Sequence, residues 1–142
     1  VSDILSSLLA KGSTMYQVQK DNKKEVTKDK TTEKRDYPIA VITNENSASA
    51  SEILAAAIKE SYHGYVVGTK TYGKGTVQQV KTLSDGSLIK YTTQNWLTPD
   101  GNWINDLGVN PTNLVKIDEG YYKNPTEEND NQLQLALNLV SK

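Results

Sequence analysis

The chain has 142 residues, about one domain's worth, with 36 % hydrophobic and 23 % charged residues, an ordinary globular balance that is slightly polar. Its formal net charge of −1 gives no electrostatic case for nucleic acid or an anionic membrane. It has no cysteine and a single histidine, His63, which excludes disulfides, thiol catalysis, cysteine-ligated zinc and a multi-histidine metal site.

No apolar run approaches the roughly 18–20 residues that span a bilayer, and no signal peptide is visible. The chain opens at Val1 already in a helical pattern, and we read it as a fragment of a longer protein. Residues 1–11 carry Ile4, Leu5, Leu8 and Leu9 as a helical stripe, with Gly12 as the stop. Residues 14–19 read as a strand. Residues 21–36 mix Lys and Arg with Asp and Glu, a solvated hairpin tip or mobile loop. Residues 37–43 are apolar and partly β-branched, the pattern of a buried strand.

After a turn at residues 44–46, Ser49 or Ser51 opens a helix reaching about Tyr62, with Ile53, Leu54, Ala57 and Ile58 on its buried face. Residues 65–68 form a short strand, and residues 69–75 a glycine-flanked loop. Residues 76–83 and 88–93 are strands joined at Ser84, Asp85, Gly86 and Ser87, a good hairpin signal. Residues 97–101 make a turn, residues 114–117 a last strand, residues 124–131 a polar linker, and residues 132–140 an amphipathic helix. Strand–helix–strand followed by a hairpin marks a mixed α/β domain. The division is a partial core domain over 1–123, with the motifs at 37–117, then a linker and helix over 124–142.

Ser49-Ala50-Ser51-Glu52 fits a capping box, in which a serine hydroxyl caps the helix and the glutamate reaches back. The same location suits a nucleophile. A helix start presents free N–H groups and a positive dipole end, and the Ala50 N–H is then a natural oxyanion donor. A serine nucleophile needs a base, and a lysine serves if burial depresses its pKa. Lys74 sits between Gly73 and Gly75, whose freedom could aim it inward. His63 lies at the far end of the helix that Ser49 starts, roughly 20 Å away at 1.5 Å per residue, and reads as a surface or capping residue. Residues 68–74 match a phosphate-binding loop until Gly75 replaces the Ser or Thr that would hold magnesium, which leaves a nucleotide-binding protein as a rival.

Residues 47–52 together with Gly73-Lys74-Gly75-Thr76-Val77-Gln78, Leu97-Thr98-Pro99-Asp100-Gly101 and Gly108-Val109-Asn110-Pro111 resemble the catalytic core of the carboxyl-terminal processing (tail-specific) peptidases, over about residues 37–115. The resemblance implies a crotonase-like mixed β-sheet with packed helices, and a Ser–Lys dyad with the lysine 25 positions after the serine and a glutamine four further on. That assigns Ser49 as nucleophile, Lys74 as general base and Gln78 as the group holding the lysine amine. It also implies amide hydrolysis through an acyl-enzyme without metal or cofactor, protein tails as substrates, and a PDZ domain upstream in the same parent chain. An exported bacterial parent, periplasmic or in the cell envelope, follows, with room for a membrane anchor upstream and for a homo-oligomer. The family usually has glycine where this chain has Asn46. Its second oxyanion donor lies upstream, so the fragment alone is expected to be silent. A non-catalytic interaction or assembly domain on the same fold is the other alternative.

Overall fold

In a computed structural model, which describes residues 1–31 and 35–141, the strands separate into two sheets. The first is antiparallel. β1 (Thr14–Lys20) and β2 (Lys23–Lys28) form a hairpin in which Lys20 pairs with Lys23. Asp21 takes the left-handed conformation (φ 52°) that Asp tolerates better than most residues. The polar stretch after β1 is therefore a hairpin containing a strand of its own; its residues 32–34 lie outside the described residues. β5 (Thr76–Thr82) and β6 (Leu88–Leu97) form the second hairpin, and β6 returns to pair with β1. The order is β2-β1-β6-β5. β6 runs four residues beyond its expected end because Asn95, Trp96 and Leu97 pair with Gln19, Val18 and Gln17.

The second sheet is parallel, in the order β3-β4-β7. β3 (Ala40–Thr43) leads into α2 (Ala50–Ala57), a wider π-helical turn (Ile58–Tyr62), and β4 (Tyr65–Gly68). Parallel neighbours need such a crossover. β7 is only Asn113–Leu114, short of the strand expected at 114–117. The helices α1 (Ser2–Ser6), α3 (Glu119–Lys123) and α4 (Asn131–Val140) complete the fold. α1 is about half its expected length, and α3 falls where no helix was expected. Asp130 caps α4, its Oδ1 accepting from the Gln132 and Leu133 amides.

α2 is the centre of the core. Ile53 and Ala57 pack with Leu5, Leu9, Met15 and Ile104, while Ala55 and Ala56 pack with Val66 and Val109. Three consecutive small residues let this helix be enclosed from two directions, where the sequence suggested a single buried face and put Leu54 on it; Leu54 is only half-buried. Trp96 meets Tyr16 edge-to-face at 4.9 Å, which ties the antiparallel sheet to the same core.

Candidate active site

Ser49 occupies the turn between β3 and α2 with φ 58° and ψ −117°. These are the angles of the first central position of a type II′ turn, where glycine is preferred, and they differ from the extended backbone usual at a helix N-cap. The chain is brought to this turn by local bonds. The Ser47 amide donates to the Asn44 carbonyl, and the Asn46 amide to Asn44 Oδ1. The left-handed backbone falls on Ser49 itself and not on Asn46. A serine held this way stands exposed at the mouth of the helix, with a backbone strain that surrounding contacts must sustain.

Glu52 supplies those contacts. Its side chain is completely buried, yet every polar contact it makes is to a donor. Oε2 accepts from the Ser49 amide at 2.9 Å, the bond of the expected capping box, and from the Lys74 amide at 2.8 Å. Oε1 accepts from the Gly73 amide at 2.7 Å and the Thr71 hydroxyl at 2.6 Å. Four donors on one carboxylate satisfy a charge that would be costly to bury alone, and the first turn of a helix is where a negative charge is favoured. One oxygen thus joins the backbone of the helix start to that of the glycine-flanked loop. The Tyr72 amide adds a bond to the Ser47 carbonyl at 2.9 Å.

The two glycines beside Lys74 have a specific task. Gly73 has φ 95°, and its carbonyl accepts from the Asp106 amide at 2.9 Å. A Cβ at Gly75 would lie 2.3 Å from the Asn105 nitrogen, so only glycine lets the loop pass that close to residues 104–106. The loop is thereby clasped between α2 and a segment anchored by buried Ile104. Thr71 extends the same net, its Oγ1 accepting from the Val109 amide at 2.7 Å while its hydroxyl donates to Glu52.

The glycines aim the backbone inward, but Lys74 itself is exposed, contrary to the inward side chain the sequence suggested. Ala50 is the first residue of α2, whose N–H has no intrahelical acceptor. Gln78 is exposed on β5, opposite Thr92, beside a bulge where β6 carries one extra residue. His63 ends the π turn in the left-handed conformation (φ 63°, ψ 30°) and is exposed, the capping place expected of it. The loop at 69–75 runs into a strand, β5, so the helix that a phosphate-binding loop requires does not follow it. The sequence pattern marks Glu52 only as a cap. Its bonds to Thr71, Gly73 and Lys74 are formed 19–22 residues away, and no local pattern announces them.

A cavity of about 580 Å³ lies elsewhere, beyond the ends of β3 and β4. It is lined by Asn44, Glu45, Thr69, Lys116, Tyr121 and Gln132 among others, and touches neither Ser49 nor Lys74. At the serine turn, by contrast, Ser49, the free amide of Ala50 and the lysine loop lie together, with Glu52 bonded to the backbones of both Ser49 and Lys74. Among the described residues no group of three or more His, Asp and Glu could hold a metal ion.

Comparison with known proteins bears on the chain as a whole. The chain is 43 % identical to the carboxy-terminal processing protease CtpB of Bacillus subtilis, over 89 % of its own length and 27 % of that protein. It is 36 % identical to a probable CtpA-like serine protease of Staphylococcus epidermidis, over 89 % of its length and 29 % of that protein. Among solved structures it resembles a photosystem II D1 C-terminal processing protease, with a TM-score of 0.69 and 31 % identity over 81 % of this chain and 30 % of that one. The chain therefore spans less than a third of these relatives. Residues 1–115 match Peptidase family S41, and the chain belongs to that family.

Proposed function

We propose that this chain carries the Ser–Lys dyad of a serine endopeptidase that cleaves protein substrates near their C-termini. The observation that carries the proposal is the shared oxygen: Glu52 Oε2 accepts from the amides of both Ser49 and Lys74. In this reading Lys74 Nζ, when neutral, takes the proton from Ser49 Oγ as that oxygen attacks the scissile carbonyl. The Ala50 N–H receives the developing oxyanion. Lys74 then returns the proton to the leaving amine, and water releases the acyl group from Ser49. Gln78 steadies the lysine amine.

The spacing of Ser49, Lys74 and Gln78 supports the assignment, and so does the family. The substrate tail, an upstream PDZ domain and a place outside the cytoplasm in a bacterium belong to the same proposal. So does the division of labour within a longer protein. A lysine base works when desolvated, and Lys74 is exposed here. The second oxyanion donor is also expected upstream, and one such donor is worth roughly 100- to 1000-fold in rate. The longer protein is accordingly the active form and the isolated chain is silent.

The test is hydrolysis of an unfolded protein with an apolar tail, by the 142-residue chain and by the longer protein, with covalent labelling of Ser49 in each. Turnover by the longer protein that disappears in Ser49→Ala supports the reading. A longer protein that neither turns over nor labels at Ser49 would make this an interaction domain on a peptidase fold.

A further inference from the structure

We infer that Glu52 is the positioning residue of the site: its carboxylate sets the separation of Ser49 and Lys74 by holding both backbones, and Thr71 locks it in place. The inference rests on the Ser–Lys reading above but goes beyond it, because it assigns a task to a side chain that touches neither substrate nor the reacting atoms.

Three observations carry it. The carboxylate is wholly buried and is shared evenly, each oxygen accepting from one backbone amide beside or at Lys74. Ser49 has a backbone conformation that a serine rarely adopts (φ 58°), and its amide is one of the four donors. Thr71, 4 % exposed, gives its hydroxyl proton to Oε1 while receiving the Val109 amide. Acceptor and donor roles are thus fixed along the chain Val109 to Thr71 to Glu52. Only a group with two equivalent acceptor oxygens fits. A glutamine amide would set its NH2 against two donors, so Glu52→Gln keeps the shape and loses the clamp. A displacement of the base by about 1 Å is enough to cost roughly 100-fold in rate.

Two measurements test this. The first is made on the chain itself by nitrogen-15 NMR. The amide protons of Ser49, Gly73 and Lys74 are expected downfield, as N–H groups bonded to a carboxylate. In Glu52→Gln all three move upfield together, while Val66 and Val67 in β4 stay in place. The second is made on the longer protein, as the rate at which a fluorophosphonate labels Ser49 and as kcat and KM for a peptide substrate. Glu52→Gln lowers labelling and kcat by roughly 100-fold with KM little changed. Thr71→Val lowers both less, and Thr71→Ser, which keeps the hydroxyl, restores them. Should Glu52→Gln fail to fold, the Thr71 pair carries the test alone.

Labelling and kcat unchanged in Glu52→Gln, or equal in Thr71→Val and Thr71→Ser, would overturn the positioning role while leaving the Ser–Lys reading intact. A wild-type protein whose Ser49 never labels would overturn the Ser–Lys reading and this inference with it, whatever the amide shifts.

Discussion

The serine turn and the β5–β6 arm are built on opposite principles. Around Glu52, the amides of Ser49, Gly73 and Lys74 are bonded to one buried carboxylate, and the glycines at 73 and 75 let three segments approach at backbone distance. Along the arm, Val80, Leu88, Ile89 and Tyr91 are exposed, and the two strands are joined by their pairing and by two long side-chain bonds, from the Tyr91 hydroxyl to Gln79 Oε1 and from the Thr93 hydroxyl to the Val77 carbonyl. Lys74 stands at the junction, its amide in the clamp and its side chain in solvent. The contrast teaches that a site can be rigid in its backbone before its side chains are enclosed.

The sharpest way to break the comparison is by activity. In the longer protein, Lys74→Ala is expected to lower hydrolysis by roughly 100- to 10,000-fold, the range for loss of a general base, and His63→Ala to leave it largely intact. A histidine variant that is dead, with Lys74 dispensable, would identify a different hydrolase.

Next comes packing. Ile53→Ala should cost about 2–5 kcal/mol in denaturant unfolding, since the core closes round that side chain. Val80→Ala on the arm should stay within about 0.5 kcal/mol. Similar losses at the two positions would mean that the arm is covered in solution.

The glycines sharpen the contrast further. Gly75→Ala forces a methyl against the Asn105 nitrogen and should cost about 1–3 kcal/mol. Gly86 at the arm tip has φ 84°, and a Cβ there would meet nothing within 4 Å. Gly86→Asn, which tolerates that backbone, should therefore stay within about 0.5 kcal/mol. At Ser49 two variants separate cap from strain. Ser49→Ala should cost about 1 kcal/mol as a lost cap. Ser49→Gly relieves the positive φ and should be the more stable of the two, although both remove activity. A glycine variant that melts below the alanine variant would deny that the turn is strained.

The smallest effect concerns the arm tip. The Ser87 hydroxyl, then the Ser87 amide, hold the Asp85 carboxyl below the usual carboxylate range. A folded pKa below the unfolded one adds stability above the unfolded value of about 3.9, and that stability is lost as pH falls through the folded pKa. The difference in melting temperature between wild type and Ser87→Ala should therefore shrink on acidification below about pH 4. A difference that stays constant through that range would show the bond to be inconsequential.

Much of this is legible in the residues. The capping box at Ser49, the hairpin at residues 84–87 and the strand–helix–strand run from β3 to β4 follow from local pattern, because each element is decided among neighbours along the chain. The rest is decided at long range. β6 is extended by its pairing with β1. α2 is enclosed on two sides because two separate clusters meet on it. Glu52 looks like any capping glutamate until Gly73 and Lys74 arrive as backbone donors, which have no sequence signature. Gly73 and Gly75 stand out in the sequence for the freedom they give the lysine, whereas their use is to admit residues 104–106.

The antiparallel sheet has one further consequence, set by its order β2-β1-β6-β5. Its outer strands differ in what they offer another molecule. β2 shows Lys23, Lys24 and Lys28, and charged lysines on an outer strand discourage a second chain from adding to it. β5 has one lysine, Lys81, and lies beside the exposed Leu83, Leu88 and Ile89. When this chain is concentrated, self-association should begin at β5, and a lysine in place of Val80 should raise its solubility far more than a further charge on β2.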